Sequence, residues 1–417
     1  MKRLGLLGGV VCVGVFFWQC GMSNPINHTV SGLRMDERGV TPAGIDAVVQ
    51  ANNQFAWDVY DVLKQEPGNV FLSPYSISTA LAMVYEGARG QTADEMANVF
   101  YFPTDEVTRR AAFSALYNEL NEEDAAHVLQ VANALWAQKE YVFLETYINT
   151  LQNHYAARAT NLDFIHATED ARKTINTWVA GHTNNKIKDL FPRGSLNDLT
   201  RLVLTNAVYF KGEWLAKFDK GKTRDEAFYV HSNNAVQVPT MRLTDDVRFK
   251  YAEIEGVQVL EMPYKGEALS MVLFLPAQDG MADLEDALSV EKIKEWQNQM
   301  YQQRVDVFLP KFTFQTKYTL NGTLQKMGMP TAFSSSADFS GMDGTQDLLI
   351  QTVVHQAFVE VNEEGTEATA ATGVSVGVTS VGPSVPEFRA DRPFLFVIQD
   401  VARGHILFMG RVADPRG

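Results

Sequence analysis

The chain has 417 residues, 46% of them hydrophobic and 21% charged, a composition with ample material for a globular core. A formal net charge of −14 without any long basic run argues against nucleic acid or an anionic membrane surface as partner. The two cysteines, Cys12 and Cys20, both precede Gly21, which excludes a disulfide framework, a thiolate metal site or a catalytic cysteine from the remainder.

Lys2 and Arg3 are followed by an uncharged apolar and glycine run over residues 4–18. That run is shorter than the ~20 residues of a spanning helix and reads as an export signal over residues 1–20. Cys20 before Gly21 suits lipid attachment, although Trp18 and Gln19 stand where bacterial lipoprotein signals favour small residues. A lipidated, a secreted and an uncleaved anchored form all stay open, with the folded part outside the cytoplasm in each. Residues 21–44 read as a polar tether, and residues 45–417, which no Pro/Gly/Ser linker divides, as one domain.

Apolar spacing predicts a helix over 45–63, with Phe55, Val59, Val62 and Leu63 on one face. Ser73-Pro74 opens a second helix, proline in its first turn, with Ile77, Leu81, Val84 and Tyr85 on its apolar side. Residues 111–120 and 170–190 also read as helices. Strand-like runs come later, at 202–210, 257–262, 270–275, 305–309, 353–361, 394–398 and 406–409. Helices come mostly early and strands mostly late, without regular alternation, so the fold class is α+β.

Residues 366–378 alternate with period two. The even positions Thr366, Ala368, Ala370, Thr372, Val374, Val376 and Val378 are small or β-branched, and the odd ones are polar or tiny. Yet the stretch lacks a bulky anchor, contains Gly373 and Gly377, and runs on into Gly382-Pro383-Ser384-Val385-Pro386. Such a segment fits an exposed loop that can later become a strand, because its small side chains lose little entropy on ordering.

The run from Glu363 to Thr372 resembles the reactive-loop hinge of inhibitory serpins. Six further segments resemble the same family in the same order: Asn69 to Ile77, Leu204 to Trp214, Leu309-Pro310-Lys311-Phe312, Ala337 to Gly341, Asp391-Arg392-Pro393-Phe394 and Phe408-Met409-Gly410-Arg411. The resemblance covers residues 50–414. It implies the serpin fold, a mostly helical N-terminal part on a large mixed sheet with smaller sheets, and an exposed loop at about 363–390.

The implied activity is inhibition of a serine protease by a suicide substrate. The protease acylates the loop, which inserts as a strand and traps the enzyme in a one-to-one covalent complex with a monomeric inhibitor. The chain would not itself be an enzyme and would need no cofactor. Glu363, Gly365, Thr366, Ala368, Ala370 and Thr372 match the hinge, and their small size keeps inhibition open. The alternative is a non-inhibitory serpin, a carrier or chaperone, cleaved without trapping. Counting fourteen residues from Gly365 places the bait bond at Thr379–Ser380, with Val378 or Val381 as other choices. Small β-branched residues there favour a protease with a shallow pocket, such as an elastase-like enzyme. Ser73, Ser76, Asn206 and His355 match the hydrogen-bonded shutter beneath the sheet, and Trp214 the breach where insertion starts.

Gly373-Val374-Ser375-Val376-Gly377 has the G-x-S-x-G form of a hydrolase nucleophile, but residues 379–386 cannot supply the helix that motif needs. His154, His166 and His182 lack metal-ligand spacing and read as surface residues. The region matching the heparin-binding helix of some relatives, residues 93–123, has only Arg109 and Arg110 among many acids, so no heparin partner is expected.

Overall fold

The computed structural model describes residues 34–122, 126–366 and 385–417. Among these the chain forms ten α-helices and seventeen strands. The first part holds α1 (Pro42–Leu63), β1 (Val70–Leu72), α2 (Pro74–Tyr85), α3 (Gly90–Phe100), α4 (Glu106–Leu120), β2 (His127–Gln138), α5 (Glu145–His154), β3 (Arg158–Leu162) and α6 (Thr168–His182). Strands β4 (Leu202–Glu213), β5 (Arg224–His231), β6 (Asn234–Leu243), β7 (Arg248–Ile254), β8 (Val257–Pro263) and β9 (Leu269–Leu275) lead to α7 (Met281–Ala287) and α8 (Val290–Gln299). Then come β10 (Tyr301–Arg304), β11 (Asp306–Pro310), β12 (Phe312–Thr319), α9 (Asn321–Met327), α10 (Ser340–Asp343), β13 (Thr352–Asn362), β14 (Gly365–Thr366), β15 (Glu387–Arg389), β16 (Phe394–Asp400) and β17 (His405–Val412).

The helices start where the side chains can cap them. Thr41 Oγ1 accepts from Gly44 N–H at 3.0 Å with Pro42 in the first turn, and Ser73 Oγ accepts from Ser76 N–H at 3.2 Å with Pro74 in the first turn. Helix α2 is buried on nearly every side because it is sandwiched between sheets, touching β2 and β4 on one side and β17 on the other.

Three sheets form around it. A mixed six-stranded sheet has the order β12-β13-β14-β4-β2-β3, and β13 also pairs directly with β4. An antiparallel seven-stranded sheet runs β1-β17-β16-β9-β8-β7-β10, and a four-stranded sheet runs β15-β11-β6-β5. One continuous apolar core joins the inner faces, while a second cluster lies beneath α6 on the outer face of the six-stranded sheet.

Three expectations need correction. The tether cannot extend to residue 44: Met35 is buried, its N–H donates to Asn118 Oδ1 at 2.8 Å, and Asp36 N–H donates to the Asn153 carbonyl at 2.8 Å. Residues from 34 onward are therefore fastened to α4 and α5 before α1 begins. The helix expected over 170–190 ends at His182, because Asn184 and Asn185 adopt left-handed φ values of 47° and 59°. His154 and His182 are half-buried rather than on the surface. His154 Nδ1 lies 3.0 Å from Ser114 Oγ, and His182 Nδ1 lies 2.7 Å from the Trp178 carbonyl.

Candidate functional site

Strand β13 ends at Asn362, and Glu363–Glu364 turn the chain back on itself. Gly365 and Thr366 then form β14, wedged between β13 and β4. Val361 pairs with Thr366 and Asn362 with Gly365 on one side, Glu213 with Gly365 and Gly212 with Thr366 on the other, all antiparallel. Below this fork β13 and β4 close on each other in parallel, from Phe358↔Tyr209 down to Thr352↔Val203. Gly365 sits at φ 150°, and a Cβ there would lie 2.0 Å from the Gly212 carbonyl oxygen, so only glycine fits the wedge.

The wedge is held by buried polar groups. Thr366 Oγ1 shares a 2.8 Å hydrogen bond with the Tyr264 hydroxyl, and the Tyr264 ring stacks on Trp214 at 4.8 Å. Trp214 Nε1 donates to the Asn362 carbonyl at 3.0 Å, while its backbone N–H donates to the Glu364 carbonyl at 2.8 Å. Both turn carboxylates are almost fully covered. Uncompensated carboxylates would be costly there. Lys311 lies 2.9 Å from Glu363, Thr223 Oγ1 donates to Glu363 at 2.8 Å, and Lys217 and Lys220 approach Glu364 at 3.0 and 3.1 Å. Burial works to raise the Glu363 carboxyl, but the hydrogen bonds from Lys311, its own backbone and Thr223 outweigh burial and hold it below the usual carboxylate range.

A second network closes the seam lower down. His355 and Asn206 are direct partners across the parallel pair. Ser73 N–H donates to His355 Nε2 at 3.2 Å, so Nε2 is the acceptor and Nδ1 carries the proton given to Asn206 Oδ1. Asn206 Nδ2 donates in turn to the Ser76 carbonyl at 2.9 Å, to Ser76 Oγ and to Asn133 Oδ1. Ser73 Oγ donates to the Leu407 carbonyl at 2.7 Å. Helix α2, three sheet strands and the C-terminal hairpin thus meet at one buried imidazole, whose pKa burial pushes down to about 3.

Of the residues singled out in the sequence, Glu363, Gly365, Thr366 and Trp214 come together at the fork, and Ser73, Ser76, Asn206 and His355 in the network below it. Ala368, Ala370, Thr372, the Thr379–Ser380 bond, Ser375 of the G-x-S-x-G stretch and Cys20 lie outside the described residues. Sequence reasoning missed Tyr264, Asn133, Thr223, Lys217 and Lys220, and gave Lys311 no role. The lysines did leave a signal: Lys217 and Lys220 come closely after Trp214, a basic pair that complements the acidic pair Glu363-Glu364. The described chain resumes at Val385, and Glu387–Arg389 anchors it in the four-stranded sheet, where Arg389 stacks 3.7 Å over Phe308.

Comparison with known proteins agrees with this architecture. The profile of the family described as Serpin (serine protease inhibitor) matches residues 50–415. The human leukocyte elastase inhibitor is 42% identical over 385 residues, covering 89% of this chain and 100% of that protein. An uncharacterized serpin-like protein of Methanosarcina acetivorans is 39% identical over 372 residues, covering 88% of this chain and 86% of its own. The crystal structure of Serpin48 from the insect Tenebrio molitor superposes with a TM-score of 0.80 at 36% identity, covering 88% of this chain and 98% of that one.

Proposed function

The chain belongs to the serpin family, and from that premise we propose that it is a suicide-substrate inhibitor of a serine protease. The observation that carries this reading is the fork: Gly365 and Thr366 already occupy the space between β13 and β4, and beneath them those two strands are joined by parallel pairing and the His355–Asn206 network. An inserting strand would replace that pairing with two antiparallel ladders, which are slightly more stable per residue, and would add a strand's worth of hydrogen bonds.

The register of β14 dictates the path of the inserting strand. Thr366 lies opposite Gly212 and Val361, so each further residue moves one step down both neighbours. Ala368 would face Phe210 and Val359, Ala370 would face Val208 and Ala357, and Thr372 would arrive between Asn206 and His355. Thr366 points inward, being 1% exposed, so the even positions would continue into the core, where small side chains are required. Thr379 would emerge three steps beyond Leu202, at the level of Leu199 at the opposite end of the sheet.

In this scheme the protease attacks the Thr379–Ser380 carbonyl and becomes esterified to Thr379 as the Ser380 amine leaves. Insertion then carries the acyl-enzyme the length of the sheet before water can release it. The chain's own residues perform no turnover. Leu199 and Thr352 lie at the far pole, and Thr366 to Thr372 would supply the moving strand. The small residues around the bait bond favour an elastase-like protease, and the N-terminal segment favours export, lipidated at Cys20 or not.

The test is incubation of the purified protein with pancreatic elastase, chymotrypsin, trypsin and subtilisin, followed by denaturing electrophoresis and mass analysis of the released C-terminal peptide. A complex that survives boiling, with a peptide beginning at Ser380, is the expected result. Cleavage by every protease without any such complex would instead make this a non-inhibitory serpin.

A further inference from the structure

The trapping scheme uses both sides of the seam but not the chain that covers it. Residues 183–201, between α6 and β4, run over the outer face of the β13–β4 pair from its upper end to its lower end. At the top, Lys186 Nζ sits 4.7 Å above the Phe358 ring and 3.4 Å from Glu360 Oε2. In the middle, Ile187, Leu190 and Phe191 are buried against Val203, Ala207 and Val354. At the bottom, Gln351 Nε2 donates to the Leu199 carbonyl at 2.6 Å, and Arg201 N–H donates to Gln351 Oε1. Asn176 of α6 ties the segment to its helix through reciprocal 2.9 Å bonds with the Phe191 backbone.

The position of the upper contact is what matters. Phe358↔Tyr209 is the last parallel pair before the fork and therefore the first that an advancing strand must separate. Lys186 grips Phe358 and its outward neighbour Glu360 at that step. Residues 183–201 thus lie as a strap over the seam, and we propose that Lys186 is its upper clasp, a positioning residue that sets how fast the seam opens. The proposal rests on the reading that the seam opens to admit the loop. An interaction that must break before the transition state slows opening by its full strength.

The experiment compares wild type with Lys186→Met, which keeps the apolar stem and removes the charge, and with Lys186→Arg, which keeps the charge. Arg403→Gln serves as a control, since it breaks an ion pair of 2.7 Å with Glu119 that joins the β16–β17 turn to α4 and involves neither β13 nor β4. Two readouts are taken: insertion after cleavage by stopped-flow tryptophan fluorescence, and hydrogen exchange of the Gln356–Phe358 amides in the intact protein. Lys186→Met should accelerate both by about fivefold, the combined strength of a part-exposed ion pair and a cation–π contact. Lys186→Arg and Arg403→Gln should leave both unchanged. Equal rates in Lys186→Met and wild type would overturn the clasp, as would equal acceleration by Arg403→Gln, which would mark general destabilisation. A wild type that shows no insertion step, while Lys186→Met still speeds exchange, would remove the trapping function and keep the clasp.

Discussion

His355 and His405 are both completely buried, and burial holds each pKa at about 3, with the nearby Arg403 charge adding to the effect at His405. An exposed histidine titrates near ~6.5. The unfolded chain therefore takes up protons as pH falls below ~6.5 while the folded protein does not, so stability is full above that pH and declines steadily toward about pH 3. His127 and His154, lowered by partial burial, act in the same direction. Glu363, whose carboxyl is depressed, loses its stabilising contribution only as pH falls through the normal carboxylate range near ~4.3. Urea midpoints should accordingly drop between about pH 7 and about pH 5, before the carboxylates contribute. A flat profile over that interval would show that His355 and His405 are not held neutral by the fold. That Ser73, Ser76 and Asn206 gather at the His355 imidazole was legible from resemblance alone, whereas the part played by Asn133 was not. The imidazole's tautomer was not legible either, because that depends on the Ser73 backbone N–H, a donor set by chain geometry rather than by side-chain identity.

Elements were legible where local chemistry agreed with tertiary demand. Helix α2 was marked by Ser73-Pro74, and strands β8, β9, β16 and β17 by short β-branched and aromatic runs between turn residues. Strand β2 was missed, since His127–Gln138 is rich in alanine, a residue with poor strand preference. It is a strand because β4 and β3 pair along it and α2 fills the space where a helix would lie. The period-two pattern after Gly365 was visible, but the reversal at Glu363–Glu364 was not, for the turn is fixed by lysines from distant parts of the fold. The register that this reversal sets yields a prediction for the inserted strand. Thr372 would replace the His355–Asn206 bond with its own hydroxyl. Thr372→Val should therefore leave the intact protein unchanged and destabilise the cleaved, inserted form by about 1–3 kcal/mol, the cost of stranding buried polar groups. Denaturant unfolding of both forms checks this, and equal midpoints for cleaved wild type and variant would refute the register.

At the scale of the whole molecule, the six-stranded sheet is closed at its centre by the parallel pairing of β13 with β4. Two apolar clusters, one inside and one beneath α6, hold that sheet from both faces, and the seven-stranded sheet lies behind α2. The two strands that flank the undescribed residues 367–384 belong to different sheets, β14 to the six-stranded one and β15 to the four-stranded one. Under the proposed mechanism, cleavage would be the event that releases stored stability. The most direct measurement is the thermal unfolding temperature of the protein before and after a single cut within residues 367–384. Insertion predicts a rise of tens of degrees, far beyond the ~2–4 °C that one kcal/mol produces in a domain of ~150–250 residues. An unchanged or lower unfolding temperature after cleavage would contradict loop insertion, for it would mean that the seam between β13 and β4 stays closed.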